Sequence, residues 1–377
     1  MNMVTVIDLF SGCGGLSLGA ARAGLPPKIA IELDGHAAAA HSKNFPKCKT
    51  AKLDLSRVDP RSLSSLYKGR PDLVIGGPPC QGFSYIGKRN QSDPRNDLLD
   101  RFFQIVAELQ PRAFMMENVP GLLDRSSIQM LERALDRVAT EYTILPPTIL
   151  DAADFGAATH RKRVIVIGYD PLDVDNLSFE QVNKHRSLPA TVWQALEGLP
   201  EPGDKDIANV GFFESPYISL VNRRSKNLGD RAKLEAFNNG QVSGFVATQH
   251  SEEVQRRFAK TAQGKTEKTS RFFRLDPNEP ARTLRAGTGA DRGSFQSARP
   301  IHYKSPRVIS VREAARIQGF PDWFDFHPTK WHAHRMIGNS VNPLFSEAIL
   351  KAISIALGVS RTEIEQSDDQ QLAVMAN

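Results

Sequence analysis

The sequence predicts an α/β protein, in which a doubly wound, mostly parallel sheet is joined to a second, smaller and irregular domain. Up to about residue 168, short apolar or β-branched runs alternate with helical stretches, as in parallel strands connected by helices. From about residue 184, the chain is rich in turn residues and its periodicity is weak. The 377 residues are enough for two domains, or for one large domain with an insertion.

The spacing of apolar residues predicts the individual elements. Strands are predicted at residues 4–10, 28–32, 72–77, 112–118, 142–147 and 163–168. Helices are predicted between them at 17–24, 35–44, 97–109 and 128–139. A further helix is predicted at 343–357, and because one side of it is strongly apolar, we expect it to pack against the first sheet.

The composition excludes several classes of protein. A content of 40% hydrophobic and 24% charged residues is ordinary for a globular chain and excludes disordered, collagen-like and fibrous proteins. No apolar run approaches the roughly 18 residues that cross a bilayer, and the N-terminus lacks a secretory signal, so we expect a cytoplasmic protein. Cys13, Cys48 and Cys80 lack the spacing of disulfide frameworks or zinc ligands, so neither a disulfide framework nor a structural zinc site is expected.

Positive charge is concentrated in one segment of the chain. The net charge is +6 overall, but residues 205–307 carry 19 Lys and Arg against 10 Asp and Glu, a net charge of +9. This concentration is typical of a surface that neutralises phosphates. A solvated basic face without a partner is the alternative.

The first motif, at the end of the first predicted strand, is typical of a nucleoside site. Asp8–Gly15 (DLFSGCGG) passes from strand to helix, where doubly wound folds bind nucleotide-like ligands. Glu32 lies 20 residues after Gly12, at the end of the second strand, and is placed to bond a ribose diol. Asp54 could accept a hydrogen bond from an adenine amino group. No phosphate-binding Lys-Ser/Thr pair is present, so a nucleoside fits better than ATP; an ordinary Gly-rich turn is the alternative.

Chemically active residues also follow later strands. Cys80, in GGPPCQGFS (76–84), is predicted at the carboxyl edge of the sheet, where a thiolate would be a soft nucleophile. Most lone cysteines are instead small buried residues. Glu117, at the same edge, could donate a proton from an apolar site or merely cap a loop. Arg161 and Arg163 are two residues apart before the sixth strand, so their side chains point to the same face. They could form a positive fork that binds a carbonyl or phosphate oxygen, or they could be the solvated start of a basic strand.

Six motifs, taken together, resemble those of DNA (cytosine-5) methyltransferases of the bacterial restriction-modification type. They are DLFSGCGGLSLG (8–19), GGPPCQGFS (76–84), ENVPG (117–121), the Arg-x-Arg of 161–163, VREAARIQGFPDWF (311–324) and GNSVNP (338–343). The resemblance covers about residues 3–168 and 280–355. One position departs from the family: Thr159 stands where a Gln is usual, so no family role is carried over to it.

The resemblance implies an S-adenosylmethionine-dependent methyltransferase fold and a division of the chain. Residues 1–185 would be the catalytic and cofactor-binding domain and 186–305 the target-recognition domain and connector. Residues 306–358 would return to the catalytic domain, and 359–377 would be a frayed polar tail. S-adenosylmethionine would contact Phe10, Gly12, Gly14, Glu32, Leu33, Asp54, Pro79, Leu98 and Asn339.

The resemblance also implies a reaction. Cys80 would add to C6 of a cytosine flipped out of duplex DNA, because C5 alone is too weak a nucleophile. Glu117 would hydrogen-bond or protonate N3, and Arg163, supported by Arg161, would hold the ring oxygen O2. C5 would then take the methyl group, and loss of the C5 proton would expel Cys80. No metal is required.

Contacts with duplex DNA are implied in two places. The stretch 81–96, with Gln81, Lys88 and Arg89, would close behind the flipped base. Base edges would be read by arginines of the basic segment such as Arg223, Arg224, Arg256, Arg257, Arg271 or Arg274. The enzyme would act as a monomer and would protect host DNA from a partner endonuclease without forming a stable complex with it.

Two rival functions are open at this stage. A tRNA cytosine-5 methyltransferase is built on the same motifs, although Gly-Phe-Ser after Gln81 and the large basic insert favour the DNA enzyme. A catalytically silent DNA-binding protein could keep the fold as a scaffold. The intact set of Cys80, Glu117 and Arg163 argues against it, because a binding protein needs no thiol at the sheet edge.

Overall fold

The computed structural model describes residues 4–79, 97–175, 177–211, 215–287 and 299–359. Cys80, Gln81, Lys88 and Arg89 lie outside these ranges, as do the rest of the predicted 81–96 loop and nearly all of the predicted tail. Their assigned roles therefore stay predictions from the sequence.

An eight-stranded sheet forms the centre of the fold. Its strands are β1 (Val6–Leu9), β2 (Pro27–Glu32), β3 (Lys49–Lys52), β4 (Leu73–Gly76), β5 (Ala113–Asn118), β6 (Thr143–Ile144), β7 (Thr148–Asp151) and β8 (Lys162–Tyr169). The strand order is β3-β2-β1-β4-β5-β8-β6, with β7 also paired to β8. The five strands from β3 to β5 in this order are parallel, and β8 runs antiparallel to β5. The predicted doubly wound, mostly parallel sheet is confirmed.

Helices cover both faces of this sheet. They are α1 (Gly15–Arg22), α2 (Gly35–Asn44), α3 (Asp97–Leu109), α4 (Ile128–Leu135) and, at the end of the described chain, α12 (Pro343–Ala356). Alternating residues of each strand point to opposite faces. Val6 and Leu73 are buried with Phe345 of α12, whereas their neighbours Ile7 and Val74 belong to the core on the other side. The apolar helix α12 therefore packs against the first sheet, as predicted.

Some elements differ from the sequence-based expectation. β3 and β7 are not predicted by their sequences; β3 reads KTAK, and such charged residues are typical of an edge strand, which carries little apolar pattern. The strand predicted at 142–147 is wrong in extent, because Pro146 and Pro147 cannot continue the ladder beyond β6. α4 ends at Leu135, earlier than predicted.

The second part of the chain is less regular. Between β8 and α12 the described elements are α5 (Phe179–Asn183), α6 (Val192–Leu196), β9 (Ile207–Asn209), α7 (Pro216–Asn222), α8 (Arg231–Asn238), β10 (Gln241–Ser243), α9 (Glu252–Lys260), α10 (Val311–Ile317) and α11 (Lys330–Asn339), of which α6 to α9 fall within the predicted target-recognition segment. β9 and β10 form a separate two-stranded antiparallel sheet. Among the described helices, none is both long and apolar enough to cross a membrane. A smaller, irregular second part is confirmed, while its exact boundaries stay a prediction.

Candidate active site

The ends of several strands meet at one edge of the large sheet. Gly76, the last residue of β4, pairs with Leu9 at the end of β1 and with Met116 near the end of β5. Because β8 is antiparallel, it begins at this edge, where Val164 pairs with Asn118. The segments that follow β1 and β5, the described residues 77–79 after β4 and the loop before β8 therefore start along a single edge, which is where open α/β folds bind their ligands.

A buried ion pair lies at this edge. Nε of Arg163 is 2.6 Å from Oε1 of Glu117, and the two side chains are only 12% and 11% exposed. Nη1 of Arg163 also donates to the carbonyl oxygen of Lys162 at 2.7 Å. The sequence predicts apolar surroundings for Glu117, and the structure adds a cation beside the carboxylate. Such a charge-assisted contact fixes the orientation of both groups.

The chain that leads to Cys80 lies against Glu117. A Cβ atom built on Gly77 would be 3.1 Å from Oε2 of Glu117, so only a residue without a side chain leaves this carboxylate undisturbed. Nδ2 of Asn118 donates to the carbonyl oxygen of Pro78 at 3.2 Å, which anchors the segment across the end of β5. The described segment ends at Pro79, one residue before Cys80.

Arg161 has different partners from Arg163. Its side chain is buried, and Nη1 donates to the carbonyl oxygen of Leu284 at 3.3 Å. Its backbone N–H donates to Oδ1 of Asp151 at 2.7 Å. Arg161 thus joins the start of β8 to the chain that returns from the second part of the protein, while Arg163 bonds Glu117.

Thr159 lies in the seam between these two segments. It forms a parallel bridge with Ala281. The N–H of Ala281 donates to the carbonyl oxygen of Ala158, and the N–H of His160 donates to the carbonyl oxygen of Ala281, both at 2.8 Å. The Thr159 hydroxyl donates to the carbonyl oxygen of Arg282 at 3.3 Å. In this chain, the position that departs from the family pattern therefore holds the returning connector.

Glu32 is anchored beneath the loop between β1 and α1. Its Oε2 accepts from Gly12 N–H at 2.8 Å, and its Oε1 accepts from Asp34 N–H at 2.7 Å. Burial raises the pKa of Glu32, and these two backbone bonds oppose the rise. Because a carboxylate oxygen can accept more than one bond, each oxygen can still accept from a ligand hydroxyl.

Several other residues assigned to a nucleoside lie in the loops that follow β1, β2 and β3. Phe10, Gly12 and Gly14 have positive φ angles of 59°, 57° and 106°, which turn the loop sharply after β1. Leu33 is 59% exposed, a large apolar side chain facing solvent. The pairing of Glu32 with Lys52 puts the end of β3, and so the loop with Asp54, beside the end of β2.

Asp54 and Asn339 reach the same region from different elements. Oδ1 of Asp54 accepts from Ser56 N–H at 3.0 Å and from its hydroxyl at 2.6 Å, and these bonds lower the pKa of Asp54. Asn339 is exposed at the end of α11. The next residue, Ser340, has its hydroxyl 3.1 Å from Sγ of Cys13, which brings the end of α11 onto the β1–α1 loop. Pro79 is exposed and is the last described residue before Cys80, and Leu98 is half-buried near the start of α3.

A buried polar network under the β1–α1 loop was missed by sequence reasoning. The Ser17 hydroxyl donates to Oδ2 of Asp8 at 2.5 Å and lies 2.9 Å from Nε2 of His41. Nδ1 of His41 is 2.8 Å from the Thr50 hydroxyl. Burial raises the pKa of Asp8 to about 7 and lowers the pKa of His41 to about 3. These residues come from β1, α1, α2 and β3, so no local spacing could reveal the network.

Replacing Asp8 by Asn is expected to change how stability depends on pH. The pKa of Asp8 is raised from 3.8 to about 7 in the folded protein, so ionisation favours the unfolded chain increasingly as the pH rises through this range. Asp8→Asn removes this effect, so the unfolding free energy of the variant should increase relative to that of the wild type as the pH rises from 3.8 to about 7, and the difference should be constant above this range. Denaturant unfolding across this range measures the difference; a constant difference would contradict the buried, uncharged Asp8.

The arginines assigned to base reading fall into two groups. Arg223 forms an ion pair with Glu347 of α12, with two N–O distances of 2.9 Å. Arg274 donates to the carbonyl oxygens of five residues, which are Phe258, Ala259, Thr261, Tyr303 and Lys304. The donors of these two arginines are directed into the protein.

The remaining arginines lie nearer the surface. Arg224, Arg256 and Arg271 are exposed, and Arg256 contacts Glu252 within α9 at 3.0 Å. Arg257 is 32% exposed and contacts Glu253 and Glu267 at 3.4 and 3.8 Å. Three exposed lysines accompany them on α9 and the chain after it: Lys260, Lys265 and Lys268.

Comparison with known proteins decides which family has this arrangement. The family model of the C-5 cytosine-specific DNA methylases matches residues 4–355. The chain belongs to this family. The methylase is thus a DNA (cytosine-5-)-methyltransferase, and the six motifs that predicted it lie within the matched residues.

Individual relatives agree. The methylase is 39% identical to the Type II methyltransferase M.XorII of Xanthomonas oryzae pv. oryzae, over 93% of this chain and 84% of the relative. It is 30% identical to M1.HphI of Haemophilus parahaemolyticus, over 93% and 86% of the two chains. A crystal structure from E. coli, of a prophage-encoded protein assigned as a DNA modification methyltransferase, superposes with a TM-score of 0.82 and 40% identity over 94% of this chain and 99% of that one.

Proposed function

We propose that this methylase transfers a methyl group from S-adenosylmethionine to C5 of a cytosine flipped out of duplex DNA, through a covalent bond between Cys80 and C6. The observation that carries the proposal is the buried Glu117–Arg163 pair, beside which Gly77 lies and Asn118 anchors Pro78, so that the chain leading to Cys80 starts next to the pair. A nucleophile, a proton donor and a cation for a ring oxygen are thereby assigned to one sheet edge.

The residues act on the cytosine ring in turn. The Cys80 thiolate bonds to C6, and the electron pair of the C5–C6 double bond becomes available at C5. Glu117 must first take up a proton, since its carboxylate form only accepts hydrogen bonds; the carboxylic acid then donates a proton or hydrogen bond to N3, and Arg163 stabilises the negative charge that develops on O2. After C5 has been methylated, removal of its proton restores the double bond and expels the Cys80 thiolate. Arg161 acts as a positioning residue, because it holds the start of β8 to the chain at Leu284.

The residues around Glu32 fit S-adenosylmethionine, which supplies an activated methyl group on a sulfonium. Each oxygen of Glu32 is fixed by one backbone N–H and can still accept from a ribose hydroxyl. Phe10, Leu33 and Leu98 offer apolar surface for the adenine ring, and Asp54 offers an acceptor for its amino group. Gly12, Gly14, Pro79 and Asn339 complete the assigned contacts; a Cβ atom on Gly12 would meet nothing within 4 Å, so the loop leaves space beside it.

Glu32→Ala is expected to weaken cofactor binding far more than DNA binding. Losing bonds to both ribose hydroxyls corresponds to roughly 2–3 kcal/mol, or a Kd raised by about 30- to 150-fold. Calorimetry with S-adenosylmethionine and a mobility assay with DNA measure the two affinities separately. Asp59→Ala, another loop carboxylate near the surface, is the matched control and should change neither. Equal losses of both affinities in Glu32→Ala would remove the ribose assignment.

Duplex DNA is proposed to contact the basic surface of the second part of the protein. Exposed Arg224, Arg256 and Arg271, with Arg257 beside them, remain candidates for base or phosphate contacts. Arg223 and Arg274 are left out of this surface because their donors bond Glu347 and main-chain carbonyls. Gln81, Lys88 and Arg89 keep their proposed place in the loop that closes on the flipped base.

A methyl-transfer assay tests the proposed function. With labelled S-adenosylmethionine, duplex DNA should become methylated at C5 of cytosine, whereas tRNA should not. Methylation of tRNA alone would overturn the choice of substrate, and no methylation of either would favour the silent binding protein. We further propose that the enzyme works as a cytoplasmic monomer and protects host DNA from a partner endonuclease.

A further inference from the structure

Three histidines from distant parts of the sequence meet beside the start of α2. His36 is in the first turn of α2, while His327 and His332 flank the start of α11. The ring centroids are 4.1 Å apart for His36 and His332, and 4.5 Å apart for each of the other two pairs. Among the residues that the structure describes, this is the one group of three or more possible metal ligands, with ligand atoms all within 4.8 Å of one another.

The three rings are accessible to an ion from solvent. His36 is exposed, and His327 and His332 are half-buried. Burial and the neighbouring imidazoles lower the pKa of His327 and the pKa of His332. Asp34 adds negative charge next to the cluster, whereas Arg335 adds positive charge near His332.

One hydrogen bond must change for His327 to bind a metal. Its Nδ1 accepts from Thr329 N–H at 3.0 Å. A neutral imidazole that ligates through one nitrogen carries its proton on the other, so ligation through either nitrogen breaks this bond. Thr329 is exposed, and water can take over its N–H. The rearrangement is therefore local and inexpensive.

We propose that His36, His327 and His332 bind one divalent transition-metal ion of the zinc class. Imidazole nitrogen suits zinc, nickel and copper, whereas calcium and magnesium prefer oxygen. With a zinc–nitrogen distance of about 2.0–2.1 Å, two nitrogens in a tetrahedral site are roughly 3.3 Å apart. The ligand atoms of the three histidines are within 4.8 Å of one another, so rotation of the rings must shorten each nitrogen–nitrogen distance by about 1.5 Å at most. Water fills the fourth position.

The ion would join two elements that border the proposed cofactor site. α2 begins three residues after Glu32, and α11 ends at Asn339. A metal ion that binds only the folded chain raises the free energy of unfolding, and the increase grows with the logarithm of the ratio of metal concentration to the Kd for the metal. Metal binding itself does not depend on the proposed function, because none of the three histidines is assigned to catalysis.

Metal titration of the full chain, without a polyhistidine tag, tests the proposal. After chelator treatment and dialysis, the protein is titrated with zinc(II) by calorimetry and with cobalt(II) by visible absorption, and one ion should bind per chain. His36→Ala and His332→Ala should each weaken metal binding at least about tenfold. Even removing a residue that only hydrogen-bonds a metal ligand lowers metal affinity by about 10- to 100-fold, and here a ligand itself is removed. His185→Ala, a half-buried histidine outside the cluster, is the control and should bind normally.

Thermal unfolding provides a second measurement. Zinc(II) should raise the melting temperature of the wild type and of His185→Ala, but not that of His36→Ala. Circular dichroism without metal establishes that each variant is folded. If the wild type binds no ion, or if His36→Ala and His332→Ala bind one as tightly as the wild type does, the proposal is wrong and the three rings serve only as packing.

Discussion

Cys80→Ala is expected to abolish methylation while leaving DNA binding within about threefold of wild type. Without a nucleophile at C6, cytosine C5 is too weak to attack a methyl group, and the loss of a catalytic nucleophile costs on the order of 10⁴-fold or more in kcat. DNA binding depends on charge and shape at the protein surface, which the substitution does not alter. Single-turnover methylation and a mobility assay measure the two properties.

Cys48→Ala is the matched control for this variant. Cys48 is partly buried, and burial raises the pKa of its thiol to about 12, so it holds no reactive thiolate at neutral pH. Its replacement should leave methylation close to wild type. Turnover by Cys80→Ala at more than a hundredth of the wild-type rate would rule out the proposed covalent mechanism.

Glu117→Gln is expected to lower kcat by about 10²- to 10³-fold, with little change in the Kd for the cofactor. An amide cannot donate a proton to N3 as a carboxylic acid can, so the enamine formed by Cys80 would be less stabilised. The substitution also leaves Arg163 without its carboxylate partner 2.6 Å away. Breaking a buried pair destabilises a protein by about 3–5 kcal/mol, so unfolding must be measured beside activity.

Two further variants separate chemistry from folding. Glu132→Gln, on the exposed side of α4, changes a carboxylate away from the site and should have no effect on kcat. Glu117→Asp keeps a carboxyl group and should recover part of the activity. A folded Glu117→Gln enzyme with a kcat within threefold of wild type would contradict the role proposed for this residue.

The sheet and its edge were predictable because their signals are local. The strands are short apolar runs, such as LVIG in β4. Glu32 lies 20 residues after Gly12 in the sequence, and in the structure its carboxylate accepts a hydrogen bond from the Gly12 N–H. β3 was missed because an edge strand needs no apolar pattern, and its four residues KTAK have almost none. A sequence pattern therefore reports burial better than it reports hydrogen bonding.

Pairings between distant residues could not be predicted. Arg223 was assigned to DNA from its charge, but its partner Glu347 lies in α12, and only the packing of that helix brings them together. The same holds for Thr159, whose hydroxyl meets the carbonyl oxygen of Arg282, and for the three clustered histidines. Charge and spacing along the chain cannot identify a partner that arrives through the tertiary fold.

Trapping the enzyme on DNA tests the covalent mechanism most directly. Duplex DNA containing 5-fluorocytosine in place of cytosine is incubated with the wild type or Cys80→Ser and with S-adenosylmethionine, and mobility is measured after denaturation. Fluorine cannot leave C5 as a cation, so the enzyme should stay attached after methyl transfer. We predict a denaturant-stable complex for the wild type and none for Cys80→Ser. No stable complex with the wild type on DNA that it methylates, or an equal complex with Cys80→Ser, would contradict the mechanism.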